Sequence, residues 1–180
     1  MPGEGGQNED GGEASAHLLG DDGVIPNNPH LPLLIYPGVL DLSGPDPAGA
    51  CIARFAAHGW FGAWRNGIYP FPHYHSTAHE VLGICCGEAK VRLGGDQGLV
   101  VEVRAGDALV LPAGTGHQNL GSSADLLVVG AYPGGMDWDL CRCAPDERPG
   151  VLRSIERVPL PDLDPLHGEN GPLVRHWQGA

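Results

Sequence analysis

The sequence predicts an all-β fold, a small sandwich or barrel with a few flanking helices. Three observations lead there. Between Gly67 and Tyr132, short apolar runs follow one another closely, separated by turns such as Gly94-Gly95-Asp96, Ala105-Gly106-Asp107, Gly114-Thr115-Gly116 and Gly121-Ser122-Ser123. That is the pattern of many short strands joined by tight connections. Glu88 to Leu93 alternates polar and apolar, so one face is wet, whereas Leu126 to Ala131 is apolar throughout, as in a strand covered on both faces. The 29 glycines and 17 prolines punctuate these runs instead of pooling in one tract, which reads as a turn-rich β protein.

Taken in order, residues 1–22 are glycine, acids and amides with little to bury, an expected disordered tail. Residues 23–180 are expected to form one domain, with a barrel core over about 60–133 and a C-terminal helix and arm over 134–180. Pro26-Asn27-Asn28-Pro29 marks a turn. His30 to Tyr36 is a short strand, and Pro32 confines it to an edge or a strand start. Such an edge can pair with a second copy, giving a homodimer. Asp46-Pro47 starts a helix, as N-cap and first-turn proline. Cys51, Ile52, Phe55 and Ala56 recur at helical spacing, and Gly59 stops it. Trp60, Phe61 and Trp64 read as a core plug, with Trp64 leading into the next segment. Strands are expected over Ile68 to His75, Glu80 to Cys86, Glu88 to Leu93, Gly98 to Arg104, Ala108 to Leu111, His117 to Leu120 and Asp125 to Tyr132. Met136 to Asp139 is a loop or short strand, and Asp146 to Val158 a helix with Pro149 in its first turn. From Pro159 on, Leu160, Leu163, Leu166, Leu173, Val174 and Trp177 suggest an arm wrapped back over the barrel.

A length of 180 residues suffices for one domain with a real core. The net charge of -12 argues against nucleic acid and against anionic membrane surfaces, both of which need a basic face. The first residues lack a basic, apolar leader, and no run reaches membrane-span length. A cytoplasmic protein is the expectation. Five scattered cysteines then act as small buried hydrophobes, Cys86 among them. Cys141 and Cys143 leave open a soft-metal or redox pair.

The chemistry concentrates between Gly67 and His117. His73 and His75 sit one residue apart, so on a strand they share a face. Glu80 opens the next apolar run. Imidazoles with a carboxylate suit iron, manganese, zinc, nickel or copper. A further ligand is available in His117, which closes the segment from Gly106.

The spacings can be counted. Gly67, five residues, His73, one, His75, four, Glu80, six, Gly87 is followed by Gly106, five, Pro112, one, Gly114, two, His117. These two ordered motifs resemble the signatures of the cupin superfamily. The second usually closes with an asparagine where Gly121 stands here, and Asn119 falls two residues early, a departure that touches a turn. The flanks, from Pro26-Asn27-Asn28-Pro29 to Trp177, resemble the YjlB-like single-domain cupins. The resemblance implies a double-stranded β-helix, the jelly-roll barrel of that superfamily. It implies one divalent metal ion per chain on His73, His75, Glu80 and His117, with Fe(II) favoured and Mn, Ni, Zn or Cu accommodated. It points to a dioxygenase-type oxidoreductase acting on a small organic substrate. The alternatives are a metal-dependent isomerase, dehydratase or lyase using the ion as a Lewis acid, and a non-catalytic binding module.

Around those ligands, strand parity turns Tyr69 and Phe71 to the histidine side. Leu82 shares parity with Glu80, and Asn119 with His117. Phe71, Leu82, Asn119 and Trp64 are thus candidate pocket residues, and Tyr69 a candidate acid or hydrogen-bond donor. His79 is expected on the face opposite Glu80, at the surface or supporting the site, and as a proton shuttle if the chain is irregular there. Arg65 and Arg92 are nearby cations, expected at the surface.

Overall fold

A computed structural model describes residues 12–179. Nine strands form two antiparallel sheets. They are β1 (Ser15–His17), β2 (Leu33–Tyr36), β3 (Trp60–Asn66), β4 (Glu80–Cys86), β5 (Glu88–Leu93), β6 (Leu99–Arg104), β7 (Ala108–Leu111), β8 (His117–Ser122) and β9 (Leu127–Pro133). One sheet runs β1-β2-β7-β4-β9-β3 and the other β6-β5-β8. Two antiparallel sheets packed face to face agree with the expected jelly roll. The helices are α1 (Pro47–Ala57), α2 (Gly150–Arg157) and α3 (Pro172–Trp177), with a single 3-10 turn at Pro145–Glu147 before α2. Among the described residues no helix is long and apolar enough to cross a membrane.

The period-2 rule assigns the two faces of the large sheet. Leu82 and Ile84 of β4, Leu109 and Leu111 of β7 and Val128 of β9 face the small sheet, where Val91, Leu93 and Val103 meet them in one buried cluster. The opposite parity, Val81 and Cys85, Ala108 and Val110, Val129 and Ala131, faces outward and is covered by Cys51 and Phe55 of α1 together with Leu166, Leu173 and Trp177 of the C-terminal arm. The arm therefore wraps back as its spaced leucines suggest, although Leu160 is exposed and α3 adds a helix that its short proline- and glycine-flanked run did not announce. Asp46 caps α1 by accepting from the Gly49 amide at 3.0 Å.

Several expectations are corrected. Ile68 to His75 is not a strand: only His73 and Tyr74 make isolated bridges, to His117 and Cys141. Pro70 and Pro72 lack the amide protons that a ladder needs. Of the expected core plug on the edge strand β3, Trp60 is in the core and Trp64 packs against it, whereas Phe61 is exposed. The strand ending at Tyr36 is interior, paired with β7 on one side and β1 on the other, so it does not offer an edge to a second subunit. Residues 1–11 of the expected tail lie outside the described residues, while Ser15–His17 forms the edge strand β1. The helix expected from Asp146 is split, because the stretch around Pro149 separates the 3-10 turn from α2.

Candidate metal centre

Glu80 is the first residue of β4 and His117 the first of β8, so each sheet supplies one candidate ligand from facing strand ends. His73 reaches the same place by bridging backbone-to-backbone with His117, its amide 3.2 Å from the His117 carbonyl. His75 follows two residues on. All four side chains are buried. The ring centroid of His73 is 4.0 Å from that of His117 and 5.8 Å from that of His75. The donor nitrogens of His73, His75 and His117 lie within 4.8 Å of one another.

Each imidazole is held by a backbone carbonyl. The Nδ1 atoms of His73 and His117 lie 3.0 Å from the carbonyls of Phe71 and Thr115. His75 Nδ1 bonds to the Asp139 carbonyl. A carbonyl oxygen only accepts, so each Nδ1 carries the proton and each Nε2 presents its lone pair to the centre. Glu80 is fixed in the same way. Its Oε1 accepts from the Tyr132 hydroxyl at 2.9 Å, and that hydroxyl accepts from Trp64 Nε1 at 2.8 Å. Glu80 Oε2 has no hydrogen-bond partner. It lies 3.3 Å from His75 Nε2 and 3.4 Å from His117 Nε2.

A buried carboxylate oxygen without a partner is costly, and lone pairs facing it add repulsion. A cation at the point of convergence satisfies all four groups, and three imidazoles with one carboxylate are the donor set that divalent transition metals accept. The residues therefore fit a metal. The electrostatics of the ion-free cluster point the same way. Burial alone would raise the Glu80 pKa, but the His75 and His117 imidazoles outweigh it and hold the carboxyl below its usual range. Burial would depress His75, yet the Glu80 carboxylate and the Asp139 contacts lift it above the usual histidine value. Burial, with His117 beside it, pushes His73 down to about 3.

In front of the imidazoles lies a cavity of about 420 Å3 whose wall includes Trp64, Tyr69, Tyr132 and Trp138. The structure thus gathers Trp64 and Tyr69 around the four ligands. A Cβ at Gly130 would fall 2.2 Å from the Trp64 indole, so glycine is required for that ring to lie across β9. The other pocket candidates lie elsewhere. Leu82 is in the core between the sheets, because the site occupies only the strand ends. Phe71 backs Tyr69, its ring 4.8 Å away, under the Arg142 guanidinium. Asn119 bonds within its own turn, to Ser122 Oγ and the Gly121 amide. His79 is on the face opposite Glu80 but fully buried: its Nδ1 accepts from the Ala113 amide at 2.9 Å and its ring packs on Trp177. Arg65 and Arg92 pair at the surface with Asp46 and Asp96. All five cysteines are free; Cys86 is half-buried beside Asp125.

Three contributors escaped the sequence reading: Tyr132, Trp138 and Asp139. Tyr132 shares parity with the inward-facing Val128, which is a usable signal. Asp139 is not signalled, because it acts across the fold. Its carboxylate accepts from the Ser76 amide at 2.6 Å and the Thr77 amide at 3.3 Å, which docks the segment after β9 onto the His75 loop. That segment carries Trp138 to 5.1 Å from His75 and stacks it on Tyr132.

Among known proteins, the uncharacterised protein YjlB of Bacillus subtilis (strain 168) is 40% identical over 165 residues, which is 92% of this chain and 97% of that one. No protein-family model matches the chain. Partial likeness extends to solved structures. Acireductone dioxygenase from Bacillus anthracis shares 18% identity at a TM-score of 0.36, over 47% of this chain and 58% of that one. The Escherichia coli ribosomal oxygenase YcfD shares 16% at 0.40, over 56% and 31%. Procruciferin, the 11S globulin of Brassica napus, shares 16% at 0.38, over 73% and 27%. The chain spans less than two thirds of the length of each of these three.

Proposed function

The chain belongs to the YjlB-like cupins, and on that premise we propose that it is a metal-dependent oxidoreductase of dioxygenase type acting on a small organic substrate. Its main support is the convergence of three Nε2 lone pairs and the unpartnered Glu80 Oε2 at the floor of a half-open cavity with Trp64, Tyr69, Tyr132 and Trp138 in its wall. When bound there, a divalent ion, with Fe(II) the favoured one, supplies a Lewis acid with open positions and redox chemistry towards dioxygen. The chain's own residues do the rest. The Phe71, Thr115 and Asp139 carbonyls orient the imidazoles. Tyr132 holds Glu80. Trp64, Tyr132 and Trp138 limit water at the floor, which protects reactive species. Tyr69, beside His73 and exposed at the rim, offers a hydroxyl to a substrate oxygen.

The test begins with elemental analysis of protein purified without added metal or chelator, beside His73→Ala and His117→Ala. The expected result is iron at one ion per chain, lost in both variants while their melting transitions remain cooperative, and oxygen uptake that tracks substrate loss. Full metal content in either variant overturns the ligand assignment. The Tyr69 hydroxyl also favours a second reading, an isomerase, dehydratase or lyase in which it delivers a proton while the ion acts as a Lewis acid. Product formation under strict exclusion of oxygen selects that reading over the first.

A further inference from the structure

We propose that the cavity is an aromatic slot, and that its ligand is a neutral planar ring bearing a hydroxyl or oxo group. Two rings define the slot. Tyr69 stands edge-on to His73 at 5.2 Å between centroids, and Trp138 edge-on to His75 at 5.1 Å, while the two imidazoles are 5.8 Å apart. The two rings therefore flank the imidazole floor beside different histidines. Trp138 is not loose in this position. It stacks on Tyr132 at an interplanar angle of 21°, and the next residue, Asp139, ties it to Ser76 and His75. Trp64 closes the wall behind Tyr132, pinned by its bond to the Tyr132 hydroxyl. A volume of about 420 Å3 suits a single or fused ring with few substituents. Ring walls of this kind favour a flat aromatic ligand over a puckered aliphatic one of equal size, through stacked and edge-to-face contact.

Charge sets the second half of the inference. Arg65 is the lysine-or-arginine cation in the cavity wall among the described residues, and its Nη1 and Nη2 are already bonded to Asp46 at 3.2 and 3.1 Å. The interior carries the Glu80 carboxylate, and the whole chain has a net charge of -12. A carboxylate or phosphate on the ligand would meet no free cation from the protein. The Tyr132 hydroxyl proton is committed to Glu80, which leaves the Tyr69 hydroxyl and the Asn66 amide at the wall as donors to an uncharged ligand oxygen. The ligand's oxygen then points to the floor, and that contact rests on the metal reading above; the ring preference does not.

The experiment titrates catechol against its aliphatic counterpart, cis-cyclohexane-1,2-diol, into zinc-loaded and metal-free protein without oxygen, following tryptophan fluorescence and heat, with zinc content checked afterwards. Catechol is expected to bind the metal-free protein about tenfold or more tightly than the diol, with each of Tyr69→Ala and Trp138→Ala reducing that ratio about two- to tenfold, and in the zinc form the acidity of the phenols adds to the preference. Leu160→Ala, at an exposed site away from the cavity, should leave it unchanged. Equal binding of the two probes, or an aromatic preference that survives in both cavity variants, overturns the slot. The metal reading fails separately: protein that retains no zinc but still prefers catechol keeps the slot and loses the centre. Tighter binding of benzoate than of catechol overturns the assignment of a neutral ligand.

Discussion

The Tyr132 hydroxyl donates a hydrogen bond to Glu80 Oε1 and accepts one from Trp64 Nε1. This pair of bonds leaves Oε2 as the oxygen free to face the centre, so Tyr132 positions a ligand without being one. Replacing it by phenylalanine keeps the ring against Trp138 but frees Oε1 to swing. Tyr132→Phe is expected to weaken divalent-metal affinity about 10- to 100-fold, the usual cost of losing a group that orients a ligand. Competition against a chromophoric chelator measures it, and an unchanged affinity with an unchanged melting midpoint would remove Tyr132 from that role. His73, His75, Glu80 and His117 could be found in the sequence because their spacing along the chain is what the two motifs record. Phe71, Leu82 and Asn119 were placed at the pocket by strand parity carried through segments where the chain bends or where the site has already ended. Trp138 and Asp139 act through contacts some sixty residues away in sequence, at His75 and Ser76, and no local pattern records such a contact.

At the scale of elements, β4 and α1 meet at Gly83. A Cβ there would lie 2.6 Å from Cys51 Sγ and 3.1 Å from Phe55 Cζ. The helix packs directly on the strand that begins with Glu80, and glycine makes the approach possible. Gly83→Ala overpacks this contact and should lower stability by about 1–3 kcal/mol. Chemical denaturation measures the loss, and Cys51→Ala in the same chain should restore part of it because the sulfur is the nearest obstacle. A Gly83→Ala protein as stable as the parent would show that α1 yields freely. The strands β4, β5 and β7 follow the sequence expectation to the residue, because their apolar periods are uninterrupted. The expected strand before them fails at Pro70 and Pro72. There the backbone turns as a loop, and the loop is what lets His73 and His75 both reach the centre while Tyr69 stays at the rim.

In the whole molecule, His79 joins parts that are distant in sequence. It precedes β4, accepts from the Ala113 amide in the turn leading to His117, and packs on Trp177 of the C-terminal arm. Burial pushes its pKa down to about 4. The unfolded chain protonates this residue near the ordinary value of about 6.5. Between those values the unfolded state binds more protons, so the contribution is complete above pH 6.5 and is lost as pH falls towards 4. Metal-free protein should therefore lose about 1–3 kcal/mol from His79 over that window. His73 acts in the same sense, and His75, shifted upward, in the opposite one. Both are common to the parent and to His79→Asn, so the difference between their melting curves at pH 7 and pH 4.5 isolates His79. Equal slopes would mean that His79 titrates normally in the folded protein. The three imidazoles at the centre are aimed by main-chain oxygens at Phe71, Thr115 and Asp139, not by side chains. A peptide carbonyl survives any substitution that preserves the backbone path. A rim side chain such as Tyr69 can therefore gain or lose bulk and polarity while the imidazoles keep their aim. A library randomised at Tyr69, which orients none of the four groups, is expected to change what the cavity admits while metal content stays that of the parent.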